Sequence, residues 1–469
     1  MLALILFIYF VSFADKPLTD TPALSERALE QRAKWNIPVD ELDYPVSAVY
    51  LDSLRHMGVS IQHTSRWFNG ATCSMSSTLA EEVAALDFVT DIQMTRDNSA
   101  YIYSARKRAP AGTSAIPRPM VNAAGPQLAL YNLTPLHQKG FKGQGILMTV
   151  CDGGFMHVNT MPCFRDSLYL GHFDFTDDTH DFYDYTGLHG LECLSLISAI
   201  QDGYSGAATQ ASYYLMRSEE YASESPKEID NLVAALETSD SLGVNVFSVS
   251  LGYAMFDNEA WSLNKYTDLD GRSTRSSLAA TIAARKGMLV CVAAGNFGDQ
   301  AWRTIDSPSD ADSILTVGAV DVNGQIGSFS SYGPSSDGRI KPEVCAVGVQ
   351  SALINGSGDI SYSYGTSFAT PLLAGLAASL WSALPDENAM QIRERIIRSA
   401  DRYANPDTTN YQYGYGIPDA WKAYTLDLHE GLENSEFRNQ DSSVRKILHN
   451  GRIYIIRGEK KYTITGGVL

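Results

Sequence analysis

Gly287-Met288-Leu289-Val290-Cys291-Val292-Ala293-Ala294-Gly295-Asn296 is the stretch that decides the architecture. Apolar residues run through it without alternation and stop at Gly-Asn, which describes a short strand with both faces buried. Strands of that kind belong to parallel sheets covered by helices on both sides. Similar runs occur at Ile146–Asp152, Ala211–Met216, Val244–Leu251 and Ile314–Val320, each separated from the next by helical periodicity. From about Leu128 to Leu428 the chain therefore reads as an α/β fold of three layers around a central, mostly parallel sheet.

Outside that core the pattern changes. Leu24-Ser25-Glu26 opens a capped helix, and Pro45 to Arg96 reads helix, strand, strand, helix, strand, which predicts a small α/β sandwich. Arg106 to Pro126, rich in Arg, Ala and Pro, reads as an exposed, cleavable linker. The first fourteen residues, MLALILFIYFVSFA, are almost wholly apolar and end small-x-small, which predicts an export signal. The C-terminal stretch 444–469 has short alternating runs broken at Asn450-Gly451 and Arg457-Gly458-Glu459, predicting a β-hairpin of two or three strands. The expected division is 1–14 signal, 15–125 small α/β unit and linker, 126–428 main domain, and 429–469 linker and β-rich tail.

With 469 residues, 44% of them hydrophobic and 19% charged, the chain can bury a large core. Its net charge of −17 repels phosphate backbones, so nucleic acid is not an expected partner. No segment supplies the roughly 20 apolar residues of a membrane-spanning helix. The six cysteines lack CxxC spacing, which argues against a thiolate zinc or redox site, and no disulfide is assigned.

Four positions carry chemistry. Asp152 ends a buried strand, where the sheet's C-terminal edge collects ligands, although a lone Asp there also serves as a turn former. His189, in Tyr185-Thr186-Gly187-Leu188-His189-Gly190, introduces the helical run LECLSLISAI; the other histidines sit in settings that suit structural roles. Ser367 lies in Gly365-Thr366-Ser367-Phe368-Ala369-Thr370-Pro371 at a helix start, where dipole and free amides favour developing negative charge, or where it would simply cap the helix. Asn296 ends the opening stretch quoted above.

The order Asp152, His189, Asn296, Ser367, with GTSFATP, AAGN, ILTVGAV and FSSYGPSSDGRIKPEV (Phe329–Val344), resembles the subtilase family of subtilisin-like serine proteases from about Leu128 to Leu428. The resemblance implies a serine endopeptidase with Asp152 as orienting acid, His189 as base, Ser367 as nucleophile and Asn296 in the oxyanion hole. It further implies a substrate-binding edge at Ser250, Leu251 and Gly252, with Ala293, Ala294 and Gly295 as the opposite wall of the P1 pocket. Protein or peptide substrates and the chain's own propeptide would be the partners. No cofactor is implied; family members often bind structural calcium, but no ligand cluster of recognisable spacing stands out. Leu191, Glu192 and Cys193 depart from the family's small residues after His-Gly. The tail is similar to C-terminal sorting segments of exported Bacteroidetes proteins, and the implied location is extracellular or cell-surface, reached through the periplasm. Ala369, where an esterase elbow needs Gly, argues against an α/β-hydrolase. His189 and Asn296 argue against the acid-acting sedolisin branch, which has neither. A catalytically silent subtilase acting as a surface binding protein is the other class of reading.

Overall fold

The computed structural model describes residues 6–16, 21–98, 111–114, 123–176, 181–183, 187–220, 223–405, 409–427, 437–438, 444–449, 452–457 and 460–463. The chain divides into two compact units, Met1–Ala423 and Tyr424–Leu469.

In the first unit seven parallel strands form one sheet in the order Val344–Val347, Leu315–Val320, Leu289–Ala293, Val246–Val249, Leu147–Asp152, Ser212–Arg217, Tyr169–Asp174. The first five of these are buried at every position, as their unbroken apolar sequence requires. Tyr169–Asp174 and Val344–Val347 are not foreseen in the sequence: the former is an edge strand with alternate residues exposed, and the latter has only four residues. Helix Thr366–Ala383 is buried from Thr366 to Trp381, and apolar side chains surround it because core covers it on all sides.

The N-terminal α/β sandwich is present, with one strand more than expected. Helices Glu26–Trp35, Ala48–His56 and Ser77–Ala84 accompany an antiparallel sheet of order Ser60–Ser65, Gly70–Met75, Phe7–Phe13, Val89–Arg96. Phe7–Phe13 is an inner strand, bonded on one side with Val11 opposite Ala71 and on the other with Val11 opposite Ile92. The expectation of a removable signal over residues 1–14 is thereby corrected, because its removal would take out this strand. Both faces of the strand are covered, which accounts for its leader-like composition. Tyr9, Val11 and Phe13 join the sandwich core with Leu54, Cys73 and Val83, while Phe10 meets the Arg275 guanidinium of the main domain at 4.4 Å. The expected boundary at residue 15 moves to residue 7 or before.

The sandwich docks on helices Lys227–Leu242 and Arg275–Arg285 through buried charge. Glu237 accepts hydrogen bonds from Ser65 Oγ (2.6 Å), Arg66 N (2.9 Å) and Trp67 N (3.2 Å). Asp240 receives Arg66 at 2.7 Å and Arg32 at 2.6 Å, and Arg32 also holds Asp43 at 3.1 Å. Of the expected free linker, Ala111–Ser114 is instead a strand antiparallel to Ile360–Tyr364, and Gly125 begins a short helix. Arg106–Pro110 and residues 115–122 lie outside the described residues.

Among the described residues of the second unit, Val444–His449, Arg452–Arg457 and Lys460–Thr463 lie in the stretch read as a hairpin of two or three strands, and Phe437–Arg438 precedes them; the four pair antiparallel in sequence order. The turns expected at Asn450-Gly451 and Gly458-Glu459 lie outside the described residues. Among the described residues no helix is long and apolar enough to cross a membrane.

Candidate active site

Parallel strands all end at the same sheet edge, so the residues following them are gathered by topology alone. Asp152 is the last residue of its strand, Ser250 follows Val246–Val249, and Asn296 follows Leu289–Ala293. Two helices bring the remainder: His189 is the first residue of His189–Ser198 and Ser367 the second of Thr366–Ala383.

Asp152 is 1% exposed and both its carboxylate oxygens face His189 Nδ1, at 2.8 and 2.9 Å. Gly190 makes this approach possible. Its N–H donates to the Gly154 carbonyl, and a side chain there would collide with that oxygen and with Phe155. Burial opposes charge on the imidazole, but the Asp152 carboxylate outweighs it and holds the His189 pKa well above its ordinary value. Glu192, one turn on and 4% exposed, is pushed up to about 7 by burial and by Asp152, against the pull of His189. Burial likewise raises the Cys193 thiol.

Pro371 sets the Ser367 backbone. Standing four residues after Ser367, it has no N–H to offer the Ser367 carbonyl, so that oxygen accepts from Ser250 Oγ (2.8 Å) and Cys193 Sγ (3.3 Å). The Cys193 sulfur is also 3.9 Å from His189 Nδ1, so a single atom separates the imidazole from the Ser367 main chain. The His189 ring lies 5.6 Å from that of Phe368. Ser367 Oγ donates to the Ser250 carbonyl at 3.3 Å. Asn296 Oδ1 accepts from Thr366 N at 2.9 Å and from Thr366 Oγ1 at 3.2 Å, which orients the amide and leaves Nδ2 as its donor next to the helix start.

Of the residues expected to bind substrate, Ser250 is thus tied to Ser367 in both directions, a link that sequence reasoning missed. Gly252 is exposed beside Leu251; Ala293 and Ala294 are buried, with Ala294 N bonded to Val317 O at 3.0 Å; Gly295, at φ 102°, donates to Thr366 Oγ1 at 3.2 Å. Other histidines have structural partners: His137 bonds the Ala207 carbonyl, His172 the Tyr169 hydroxyl, and His63 the Phe175 carbonyl. All six cysteines are free and buried. Among the described residues, two groups have ligand atoms close enough to share an ion, Asp152/His189/Cys193 and Glu219/Glu224/Glu228. In both, internal bonds already engage the donors: Asp152 holds His189, Tyr253 OH donates to Glu219 at 2.8 Å, and Glu228 accepts from Glu220 N at 2.8 Å.

The model of the Bacteroidota peptidase S8 propeptide domain matches residues 8–111, so a propeptide domain is present and its start agrees with the strand Phe7–Phe13. The chain is 29% identical over 311 residues to the thermostable alkaline protease of Halalkalibacterium halodurans, covering 63% of this chain and 72% of that protein. It is 25% identical over 376 residues to subtilisin NAT of Bacillus subtilis subsp. natto, covering 79% and 84%. The match to serine protease AprX of Bacillus subtilis, 34% identical, spans 34% of that protein and 27% of this chain. Among solved structures, MycP1 from Mycobacterium smegmatis superposes with a TM-score of 0.55 at 22% identity over 71% of this chain and 93% of that one, a likeness of fold. These relatives, named as serine proteases and subtilisins, support a serine endopeptidase. The subtilase family model matches residues 143–416, more than half the chain and all four chemistry-bearing positions, and the chain belongs to that family.

Proposed function

We propose that the protein is an exported serine endopeptidase that hydrolyses peptide bonds through an acyl-enzyme formed on Ser367. The observation that carries this reading is the Asp152–His189 pair, 2.8 Å apart, with the carboxylate buried and the imidazole partly exposed. Asp152 holds the imidazole by Nδ1, which leaves Nε2 as the base. The scheme requires the Ser367 hydroxyl, which here donates to the Ser250 carbonyl, to turn to Nε2. Proton transfer to His189 then activates Oγ for attack on the scissile carbonyl, and His189 returns the proton to the leaving amine. Asn296 Nδ2 and the Ser367 N–H are the donors proposed for the tetrahedral oxyanion. In subtilisin the loss of one such donor lowers kcat by about 10²- to 10³-fold. An extended substrate would pair along Ser250–Gly252 with Ala293–Gly295 as the opposite wall. No cofactor enters this scheme.

The propeptide domain is proposed to hold the catalytic domain inactive until cleavage between Arg106 and Pro126, and the C-terminal unit to serve as a sorting segment. In the test, purified protein is treated with a serine-directed fluorophosphonate and assayed on casein. Hydrolysis, blocked by a label that maps to Ser367 and absent from Ser367→Ala, is the expected result. Folded protein that takes no label and cuts nothing would favour the silent binding-protein class.

A further inference from the structure

Between the two walls assigned to the P1 pocket lies a carboxylate that the mechanism above does not use. The backbone of Tyr253 pairs with that of Ser307, N to O at 2.7 Å and O to N at 3.1 Å, and Ser309 Oγ donates to the Ala293 carbonyl at 2.6 Å. These bonds anchor the segment around Asp306 to both walls at once. Asp306 fills the gap between Gly252 and Gly295: a methyl group added at Gly295 would lie 2.5 Å from its Oδ2, and one at Gly252 would lie 3.1 Å from the same atom. Neither position tolerates a side chain while that carboxylate is in place, and Gly295 is further restricted by its φ of 102°.

Asp306 is 4% exposed, and its Oδ1 is buried without a hydrogen-bond partner. Burial pushes its pKa far up; the Trp302 indole opposes this, and the charge felt from Asp310 adds to it. A carboxyl buried without a cation is held as the neutral acid, and a cation brought beside it favours the charged form. Its position between the two proposed substrate-binding walls is where such a cation would arrive with a ligand.

We infer that Asp306 is the specificity-determining floor of the P1 pocket and that this enzyme cuts on the carboxyl side of Arg or Lys. The inference rests on the protease reading above and deepens it. An aspartate at the bottom of the P1 pocket selects basic side chains in trypsin by the same physics. A second observation agrees. The propeptide match ends at residue 111, and just before that end the chain reads Ser104-Ala105-Arg106-Lys107-Arg108-Ala109, a run of three basic residues where maturation would cut.

The test measures hydrolysis of a peptide series varied only at P1, together with calorimetric binding of benzamidine, an arginine side-chain mimic, to the same protein. Expected are kcat/KM values for P1 Arg at least about 10²-fold above those for P1 Leu or Phe. Expected too are benzamidine binding lost in Asp306→Asn and Asp306→Ala, a fall for P1 Arg in those variants much larger than that for P1 Leu, and a mature N-terminus at Lys107, Arg108 or Ala109. Fluorophosphonate labelling of Ser367 in both variants would show that the site is intact. Labelled enzyme that prefers apolar P1 residues and binds no benzamidine overturns the inference and leaves the protease reading standing. Protein that binds benzamidine through Asp306 but takes no label upholds the pocket and overturns the protease reading.

Discussion

The propeptide contact and the substrate pocket both bury carboxylates, and they treat them in opposite ways. At the contact Glu237, Asp240 and Asp43 each meet an arginine or lysine supplied by the chain itself. Burial raises the Glu237 pKa, but Arg66, the Ser65 hydroxyl and the amides of Arg66 and Trp67 all pull it back. At Asp306 only the Trp302 indole opposes the effect of burial, Asp310 adds to it, and Oδ1 has no partner. Asp152 falls between the two, since its partner, His189, is a cation only when protonated. A carboxylate paired with a permanent cation holds parts together, one paired with a titrating cation runs chemistry, and an unpaired one awaits a ligand.

The sharpest way to break this ranking is Asp152→Asn. The amide cannot hold the imidazole in the tautomer that leaves Nε2 free, so kcat is expected to fall about 10⁴-fold in a steady-state peptide assay. A loss of tenfold or less would show that the pair is merely structural. Next in size is Arg66→Ala at the propeptide contact. It strips the cation from Glu237 and one of two from Asp240 while both stay buried. The full chain carrying Ser367→Ala, to prevent self-digestion, is expected to lose about 3 kcal/mol from its first urea transition. An unchanged midpoint would mean that apolar burial, not charge, holds the propeptide.

The same distinction explains what was legible in the sequence. Strands such as Leu289–Ala293 are recognisable because burial on both faces writes itself into composition, and Asp152, His189, Asn296 and Ser367 because each sits where a strand ends or a helix begins. Phe7–Phe13 misled for the same physical reason. A strand covered by the sandwich core on one face and the main domain on the other is apolar throughout, and so is a leader; only the partners Ala71 and Ile92 tell them apart. Asp306 was silent because Ile305-Asp306-Ser307-Pro308 reads as an ordinary turn, and its meaning depends on two glycines 54 and 11 positions earlier in the chain. The Pro371 signal was available: a proline four residues after a serine predicts a freed carbonyl, and here Ser250 and Cys193 take it up.

Acidity gives a smaller, graded effect. Catalysis needs neutral His189, and Asp152 holds its pKa well above the usual 6.5. The acid limb of kcat/KM is therefore expected to lie above pH 6.5, with activity falling about tenfold per unit below it. Stability runs the other way. A pKa raised on folding contributes stability that is complete below about 6.5, the unfolded value, and is lost as pH rises through the folded one. In Asp152→Asn the acid limb of the residual activity should move down. A limb that stays where it was would place the control of His189 elsewhere.

Lys286 offers the finest test, because its two carboxylates differ in what remains after it is gone. Asp40, 45% exposed, can turn to water, while buried Asp43 keeps Arg32 at 3.1 Å and the Asp40 amide at 2.9 Å. Lys286→Met preserves the aliphatic stem and removes only the charge, so the expected loss is about 1 kcal/mol in the same urea transition, well short of that for Arg66→Ala. If the two losses prove equal, what matters is the number of buried cations at the contact. If Lys286→Met costs less, each carboxylate's stability is set by the donors it retains, and that is the rule by which Asp306, its Oδ1 without a partner, was assigned to a ligand.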